Sequence, residues 1–249
     1  MKIAGIIPAR YKSSRYPGKP LIPLLGKPMV IHVADIVATA IGKENTFIAS
    51  DSDLIAETVK KWGYQVLMTS ERALTGTDRV WEASKKIEAD IYVNIQGDEP
   101  LLNPADINLV IDAKKKHMDY VVNGFHPISE IEDPKSINIP KVVFDEHNRL
   151  IYMSRAQIPG YKSEKSKPAK YYKQVCIYAF SKHQLDKYGN FGRKSHLEEY
   201  EDIEILRLLD LDIPVYMIET AGVSFAVDVP EDVEIVENLM RRKYNNGIQ

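Results

Sequence analysis

A loop rich in basic residues follows the first apolar run of the chain. The run KIAGIIPA is apolar and β-prone, and the next ten residues carry Arg10, Lys12, Arg15 and Lys19, with Gly18 beside the last. A strand that ends in a basic, glycine-containing loop presents cations and backbone N–H groups where a polyphosphate can bind. The sequence contains neither a Walker A loop nor a G-x-G-x-x-G fingerprint, so the cations themselves are predicted to bind the phosphates. The alternative is that they are solvated loop charges.

Two carboxylates are candidate metal ligands. Asp98 follows the apolar run IYVNIQ, and Asp228 follows SFAV in the same arrangement of strand, aspartate, proline and acidic residues. An unpaired carboxylate at the end of a buried strand is costly, and a divalent cation shared with a phosphate would offset that cost. Mg²⁺ is expected because it takes oxygen ligands from one or two carboxylates and from phosphates. The alternative is that Asp98 or Asn103 caps the helix PADINLV, and that Asp228 caps the last helix.

Two further patterns allow two interpretations each. In TSERALTGTDRV, Gly76 and the hydroxyl groups could read a base edge and Arg79 could face base or phosphate, but a capped helix with a surface arginine would look the same. The D-x-D of Asp51 and Asp53 is how many metal-dependent glycosyltransferases hold a nucleotide sugar. It is also a good N-terminal signal for the helix SDLIAETVKK.

The elements that position these residues alternate between strand and helix periods. KIAGIIP, NTFIAS, YQVLM and IYVNIQ are predicted strands, and MVIHVADIVATA, SDLIAETVKKWG, TDRVWEASKKI and PADINLVIDAKKKH are predicted helices. This alternation predicts right-handed βαβ units and an α/β fold with a mostly parallel central sheet. Ligands of such sheets bind at the carboxyl ends of the strands. Helix starts are expected at Ser52 or Asp53, at Thr77 or Asp78, and at Asn103.

The pattern changes after about residue 120. YVVNGF, KVVFD, LIYMS and YYKQVCIYAF are predicted strands with few helices between them, so a smaller mixed or antiparallel sheet is expected to pack on the first. Two helices, SHLEEYEDIEILRLLDL and PEDVEIVENLMRRKY, then flank the strand PVYMIET. We predict a single domain over 1–249 with an excursion around 120–185.

Composition excludes several classes of protein. The 249 residues carry a formal charge of −2, which gives no overall basic field and argues against a nucleic-acid partner. A single cysteine, Cys176, excludes an internal disulfide and a cysteine metal cluster. No apolar run is long enough for a signal h-region or a bilayer span, so no membrane association and a cytoplasmic location are expected.

Six motifs in collinear order carry a resemblance to a known family. They are IIPARYKSSRYPGKPL, TGTDRV, NIQGDEPL, KVVFD, YMSRAQIP and VDVPED, and they span essentially the whole chain. Together they resemble the CMP-ketodeoxyoctulosonate synthetases, also called 3-deoxy-manno-octulosonate cytidylyltransferases.

The resemblance implies a reaction, a fold and site residues. The family joins CTP to 3-deoxy-manno-octulosonate (Kdo), giving CMP-Kdo and pyrophosphate for lipopolysaccharide or capsule, on a nucleotide-diphospho-sugar transferase fold that works as a homodimer with Mg²⁺. The resemblance gives Lys19, Arg10 and Asp98 catalytic roles and makes Asp98 and Asp228 the metal ligands. It implies nucleotide contacts at Pro8, Ala9, Arg10, Arg15, Lys19, Thr69, Gly76, Arg79 and Gln96. It implies sugar contacts at Gln96, Arg155, Gln174, Tyr178, Glu198 and Glu201, with Arg155 also near the dimer contact.

Two residues depart from the family pattern. Gln174 stands where the family usually has histidine, and Ile205 stands where it has glutamine. By resemblance both belong to the sugar pocket, so the acceptor could instead be 8-amino-Kdo or a nonulosonate. A glycosyltransferase that uses Asp51 and Asp53, and a nucleotide-binding scaffold without activity, are the rival functions.

Overall fold

The computed structural model describes residues 1–12, 16–130, 132–166, 168, 170–222, 225–227 and 229–245. These residues form eleven strands and eight α-helices. The strands are β1 (Ile3–Ala9), β2 (Pro23–Leu24), β3 (Lys27–Pro28), β4 (Thr46–Ser50), β5 (Gln65–Met68), β6 (Ile91–Ile95), β7 (Val121–Pro127), β8 (Lys141–Phe144), β9 (Leu150–Ser154), β10 (Tyr172–Phe180) and β11 (Val215–Glu219). The helices are α1 (Met29–Ile41), α2 (Asp53–Lys61), α3 (Gly76–Ser84), α4 (Pro104–Lys116), α5 (Lys182–Asn190), α6 (His196–Glu201), α7 (Leu206–Asp210) and α8 (Asp232–Asn245).

One large sheet runs through the molecule in the order β11-β7-β10-β6-β1-β4-β5. The pairs β1–β4, β1–β6, β4–β5 and β7–β11 are parallel, while β10 is antiparallel to both of its neighbours. Strands β2 and β3 form a separate small antiparallel sheet. The expected α/β fold class, with a large mostly parallel sheet and a small antiparallel one, is confirmed.

Two apolar layers cover the faces of this sheet. Along β1, Ile7 and Ala9 face a core that includes buried residues of α1, α2 and α4, while Ala4 and Ile6 face a core built with α3, α5 and α7. Alternate side chains of a strand point to opposite faces, so β1 contributes to both cores. A third, smaller cluster joins Leu24 to Val236 and Met240 of α8.

The strands after residue 120 belong to the central sheet, whereas the sequence predicted a second sheet packed on the first. Strands β7 and β10 join the central sheet directly, and the hairpin of β8 and β9 pairs with β10 at Lys141 and Lys173. The strands of the 120–185 excursion are therefore an extension of the first sheet rather than a layer packed on it. Because β10 is antiparallel to β6, its first residues lie beyond the carboxyl end of β6.

Two helices differ from expectation. The single helix predicted over 195–211 is divided into α6 and α7, because Asp202 adopts a left-handed conformation (φ 50°) and ends α6. Helix α5 was missed, since KHQLDKYGN has weak helix propensity. Its signal was the capping box of Ser181 and Gln184, in which each side chain bonds to the other residue's backbone N–H.

No helix among the described ranges has the length and apolar character needed to cross a membrane.

Helix α5 packs closely against α3 at Gly189. A Cβ atom at residue 189 would lie 1.9 Å from the ring of Trp81, whose Nε1 donates to Asp186 Oδ1 at 3.1 Å. This contact fixes α3 against α5, and α3 carries the Gly76 turn.

We predict that Gly189→Ala lowers the free energy of unfolding by about 1–3 kcal/mol, because the new methyl group forces the indole out of its place. Gly160→Ala is the matched control, since a Cβ there meets no atom within 4 Å. Urea unfolding of both variants measures the difference, and equal stability would show that Trp81 moves aside at no cost.

Candidate active site

The polar residues predicted from sequence gather at one edge of the sheet. Strands β1, β4, β5 and β6 are mutually parallel, so they all end at this edge. Arg10 follows β1, Asp51 follows β4, Thr69 follows β5 and Gln96 follows β6. This is the edge at which open parallel sheets bind ligands.

Lys19 and Asp98 form an ion pair in this edge. Lys19 Nζ lies 2.6 Å from Asp98 Oδ2, and the two side chains are 17% and 26% exposed. Lys19 begins a short 3₁₀ turn after Gly18, whose backbone N–H donates to Tyr11 O. The loop after β1 thus folds back and delivers a cation to the carboxylate that follows β6.

Asp98 does not cap α4, which was the alternative interpretation of this residue. Asn103 caps α4, with its side chain accepting from Ala105 N at 3.0 Å. Asp98 instead accepts from Val227 N through its backbone oxygen at 3.0 Å.

The predicted phosphate-binding Arg15 and metal ligand Asp228 lie outside the described residues. Within the described ranges, no three acidic, histidine or cysteine side chains are grouped as a metal site.

Of the other predicted phosphate contacts, Arg10 is exposed directly after β1, while Pro8 and Ala9 are buried within that strand. The side chains of Pro8 and Ala9 are therefore buried on opposite faces of β1. Of the predicted loop cations that the structure describes, Arg10 and Lys19 lie at the edge, and Lys12 pairs with Glu71 at 2.9 Å.

The Gly76 turn lies beside the end of β6. Thr75 caps α3 by accepting from Asp78 N at 3.2 Å, two residues before the predicted cap. A Cβ atom on Gly76 would lie 2.9 Å from Gln96 Nε2, so glycine allows this close approach. The structure therefore brings together Gly76 and Gln96, two of the predicted nucleotide contacts.

Arg79 corrects one sequence prediction. Its guanidinium donates to Asp51 Oδ2 at 2.9 Å and to Thr69 Oγ1 at 2.5 Å, and only 3% of its side chain is exposed. The guanidinium of Arg79 is therefore engaged by protein atoms. Because Asp51 is 10% exposed and bound to Arg79, the D-x-D metal pair of a glycosyltransferase is also disfavoured.

The predicted sugar contacts Arg155 and Glu201 lie together at the end of β9. Glu201 accepts from Ser154 Oγ at 2.6 Å and from Arg155 N at 2.8 Å. Burial alone would raise the pKa of the Glu201 carboxyl, but these donors outweigh it and the pKa is lowered. The Arg155 guanidinium donates to the backbone oxygens of Glu201 and Asp202, at the end of α6. It also donates to the backbone oxygen of Ile137.

Gln174 and Tyr178 lie on β10 at different depths. Gln174 is half-buried near the start of the strand and donates to Asn123 Oδ1 at 3.3 Å. Tyr178 is almost fully buried, and burial raises the pKa of its hydroxyl. Tyr178 thus lies below the ligand-binding edge of the sheet, and Gln174 lies nearer the surface of that edge.

Two predicted sugar-pocket residues are core residues instead. Glu198 is buried with both oxygens bound to Arg207, at 2.7 and 2.8 Å. Ile205 is fully buried in the core that contains α3 and α5. Neither side chain reaches the surface of the edge, so the expectations that Glu198 binds the sugar and that Ile205 replaces a sugar contact are corrected.

Sequence reasoning gave no role to Glu204, which binds the Gly76 turn. Its carboxylate accepts from Gly76 N and Thr77 N at 2.9 Å each and from Thr77 Oγ1 at 2.6 Å. Burial raises the pKa of Glu204, although the Thr77 and Gly76 donors act against this. Its place directly before Ile205, which departs from the family pattern, was the available signal, but the sequence spacing of 127 residues to Thr77 concealed the partner.

Comparison with known proteins decides the family. The family model described as "Cytidylyltransferase" matches residues 4–219. The chain belongs to the cytidylyltransferase family. It is an enzyme of nucleotidyl transfer by its family.

Relatives of this cytidylyltransferase agree over nearly the full length. It is 36% identical over 247 residues to an 8-amino-3,8-dideoxy-manno-octulosonate cytidylyltransferase of Shewanella baltica (strain OS155 / ATCC BAA-1091), covering 95% of this chain and 98% of the relative. A protein of the same name from Shewanella woodyi is 37% identical, with the same two coverages.

Solved structures support the same fold. A CMP:2-keto-3-deoxy-manno-octonic acid synthetase complexed with CTP superposes with a TM-score of 0.89 at 36% identity, covering 98% of this chain and 100% of that one. A cytidylyltransferase from Leptospira borgpetersenii superposes with a TM-score of 0.63 at 17% identity, covering 99% and 95%, which shows the fold alone.

For this cytidylyltransferase we predict that Arg79→Met lowers the free energy of unfolding by about 3 kcal/mol, because it leaves the Asp51 carboxylate buried without its cation. Arg72→Met is the matched control, since Arg72 is exposed on the loop that precedes α3 and should change stability by less than about 0.5 kcal/mol. Both are measured by urea unfolding. If the two variants were equally stable, Arg79 would be a free cation after all.

Proposed function

We propose that this cytidylyltransferase transfers CMP from CTP to a 3-deoxy-octulosonic acid and releases pyrophosphate. The observation that carries the proposal is the Lys19–Asp98 ion pair at the carboxyl ends of β1 and β6. It places a cation and a carboxylate side by side at the ligand-binding edge of a chain that belongs to this family.

The reaction needs positioning and charge neutralisation more than covalent catalysis. The anomeric hydroxyl oxygen of the sugar acid forms a bond to the α-phosphorus of CTP and releases its proton to solvent. The bond from the α-phosphorus to the oxygen bridging the α- and β-phosphates breaks. Lys19 and Arg10 stabilise the charge that grows on the α-phosphate and on the leaving pyrophosphate.

We infer that the reaction uses Mg²⁺ held by Asp98 and Asp228. Asp98 fits this role by its chemistry, because it is a partly exposed carboxylate at a strand end and Mg²⁺ takes carboxylate and phosphate oxygens. The hydrogen bond from Lys19 Nζ goes to Asp98 Oδ2. When bound, the ion would polarise the reacting phosphate and lower the pKa of the attacking hydroxyl.

Kdo is the first candidate acceptor, and its 8-amino analogue is the second. The solved relative complexed with CTP is a synthetase for the former, and the Shewanella relatives are named for the latter, at similar identity. Arg155 and Glu201 are the proposed sugar-side residues, together with Gln96 and Gln174. Gln174 lies beyond the end of β6 and is the departure from the family that lies nearest the surface of the edge.

We further propose that the enzyme works as a homodimer in the cytoplasm. The family resemblance supports the dimer, with Arg155 near its contact. Its substrates support the location, because CTP is a cytoplasmic metabolite.

Pyrophosphate release with CTP and each acceptor tests the proposed function directly. We expect turnover with at least one of Kdo and 8-amino-Kdo, and we expect Gln174→His to change the ratio of their kcat/KM values by on the order of tenfold, because a hydrogen-bonding group of the acceptor site is exchanged. Gln65→His is the control, since Gln65 is exposed on β5 and should leave the ratio unchanged. No pyrophosphate with either acceptor would overturn the proposal.

Asp98→Asn should lower kcat by at least on the order of 10²-fold while leaving the protein folded, because the amide keeps the shape but removes the charge. Asp112→Asn is the control, since this exposed aspartate pairs only locally with Lys115 among the described contacts. Both are compared at saturating CTP and Mg²⁺, with unfolding measured in parallel. Activity of Asp98→Asn within a few-fold of wild type would remove Asp98 from the metal site.

A further inference from the structure

One segment of the chain binds the first turn of α3 from outside. Glu204 accepts hydrogen bonds from Gly76 N, Thr77 N and Thr77 Oγ1. Three residues later, Arg207 donates through Nη1 to Asp78 Oδ1 at 2.7 Å and through Nη2 to Asp78 Oδ2 at 3.0 Å. Two side chains of the 204–207 segment therefore bind three successive residues of α3.

Arg207 is itself held in a fixed orientation. Its guanidinium is fully buried and binds Glu198 through Nε and Nη2, and it lies 3.9 Å from the ring centroid of Tyr188. Glu198 in turn closes the capping box of α6 with Ser195. The planar fork thus has bidentate partners on two sides, which lysine could not reproduce.

The other side of the turn is confined by β6. Asn94 Nδ2 donates to Thr77 Oγ1 at 3.0 Å, and Gln96 lies against Gly76 so closely that a Cβ there would be 2.9 Å from Gln96 Nε2. The same Cβ would be 3.2 Å from Glu204 Oε1. The turn therefore has β6 on one side and the 204–207 segment on the other, and its distance from Gln96 is set by both.

We propose that Glu204 and Arg207 are positioning residues that hold residues 75–78 against Gln96 and thereby set the preference for CTP over UTP. This inference rests on the proposed function and on the nucleotide contacts expected at Gly76 and Gln96. Both residues act through the turn. Glu204 binds the backbone N–H groups of Gly76 and Thr77, and Arg207 binds the side chain of Asp78.

The chemistry of the base explains why position decides specificity. Cytosine presents an amino donor where uracil presents a carbonyl acceptor, so discrimination requires protein donors and acceptors in the right place. A shift of the turn by about 1 Å would weaken the correct contacts and relax the rejection of the wrong ones. The ratio of kcat/KM for CTP to that for UTP reports this directly. It is also independent of how much of the enzyme is folded.

The test compares Arg207→Lys and Glu204→Gln with Lys114→Ala. Arg207→Lys keeps the buried charge but loses the bidentate fork, and Glu204→Gln puts an amide donor where the carboxylate accepts from Thr77. Lys114 is buried and donates to Met118 O, Tyr120 O and Gln184 Oε1, so its removal costs stability without touching α3. The probes are CTP and UTP with the better acceptor, and unfolding is measured for every variant.

We expect the CTP to UTP ratio to fall by about tenfold in both variants of the 204–207 segment, and to stay within about twofold of wild type in Lys114→Ala. A wild-type ratio in folded Arg207→Lys and Glu204→Gln would overturn the inference while leaving the proposed function intact. If Arg207→Lys does not fold, Glu204→Gln decides alone. A wild type that releases no pyrophosphate from CTP would instead overturn the proposed function, and the inference with it.

Discussion

The pairing of buried charges on the first turn of α3 is the constraint on which the site depends. Asp78 and Arg79 are neighbours in sequence and both are buried, so each requires an opposite charge within the protein. Asp78 binds Arg207 from the second half of the chain, and Arg79 binds Asp51 at the end of β4. One helical turn therefore ties the two halves of the molecule together at the ligand-binding edge. Breaking either pair would leave a charge buried without compensation, which is far more costly than the net gain from forming the pair.

The sheet explains how distant residues reach this edge. Parallel pairing of β1, β4, β5 and β6 brings their carboxyl ends together, so residues separated by up to about 90 positions in sequence become neighbours. The antiparallel strand β10 then adds Gln174 from the opposite direction, because its first residues extend beyond the end of β6. The hairpin of β8 and β9, paired to β10 at Lys173, brings Ser154 and Arg155 to the same end. Strand direction thus divides the edge into a nucleotide side and a side available to the acceptor.

Much of this could be predicted from local pattern, and the failures share a physical cause. The alternation of strand and helix periods predicted the parallel core, and apolar runs followed by polar residues predicted Lys19, Gln96 and Asp98 at its edge. Glu198, Ile205 and Arg79 were assigned to ligands because their motifs matched, yet burial gives all three to the protein interior. Whether a charged side chain faces a ligand or a buried partner depends on a residue on another element, such as Asp51 for Arg79, 28 positions away. A single sequence does not contain that pairing, and for the same reason Glu204 was missed.

The position of Glu204 also bears on where a triphosphate can bind. The N-terminus of a helix commonly binds phosphate, because its first N–H groups lack partners within the helix. At α3 two of these groups, Gly76 N and Thr77 N, already donate to the Glu204 carboxylate. A phosphate placed there would lose those donors and meet a like charge, so α3 is suited to the uncharged base. The cations Arg10 and Lys19 follow β1 instead, on a loop beside the end of β6. In the proposed function the base of CTP therefore binds at the N-terminus of α3, and the triphosphate binds at the basic loop after β1. A carboxylate already occupies the helix terminus, and the cations are at the strand end.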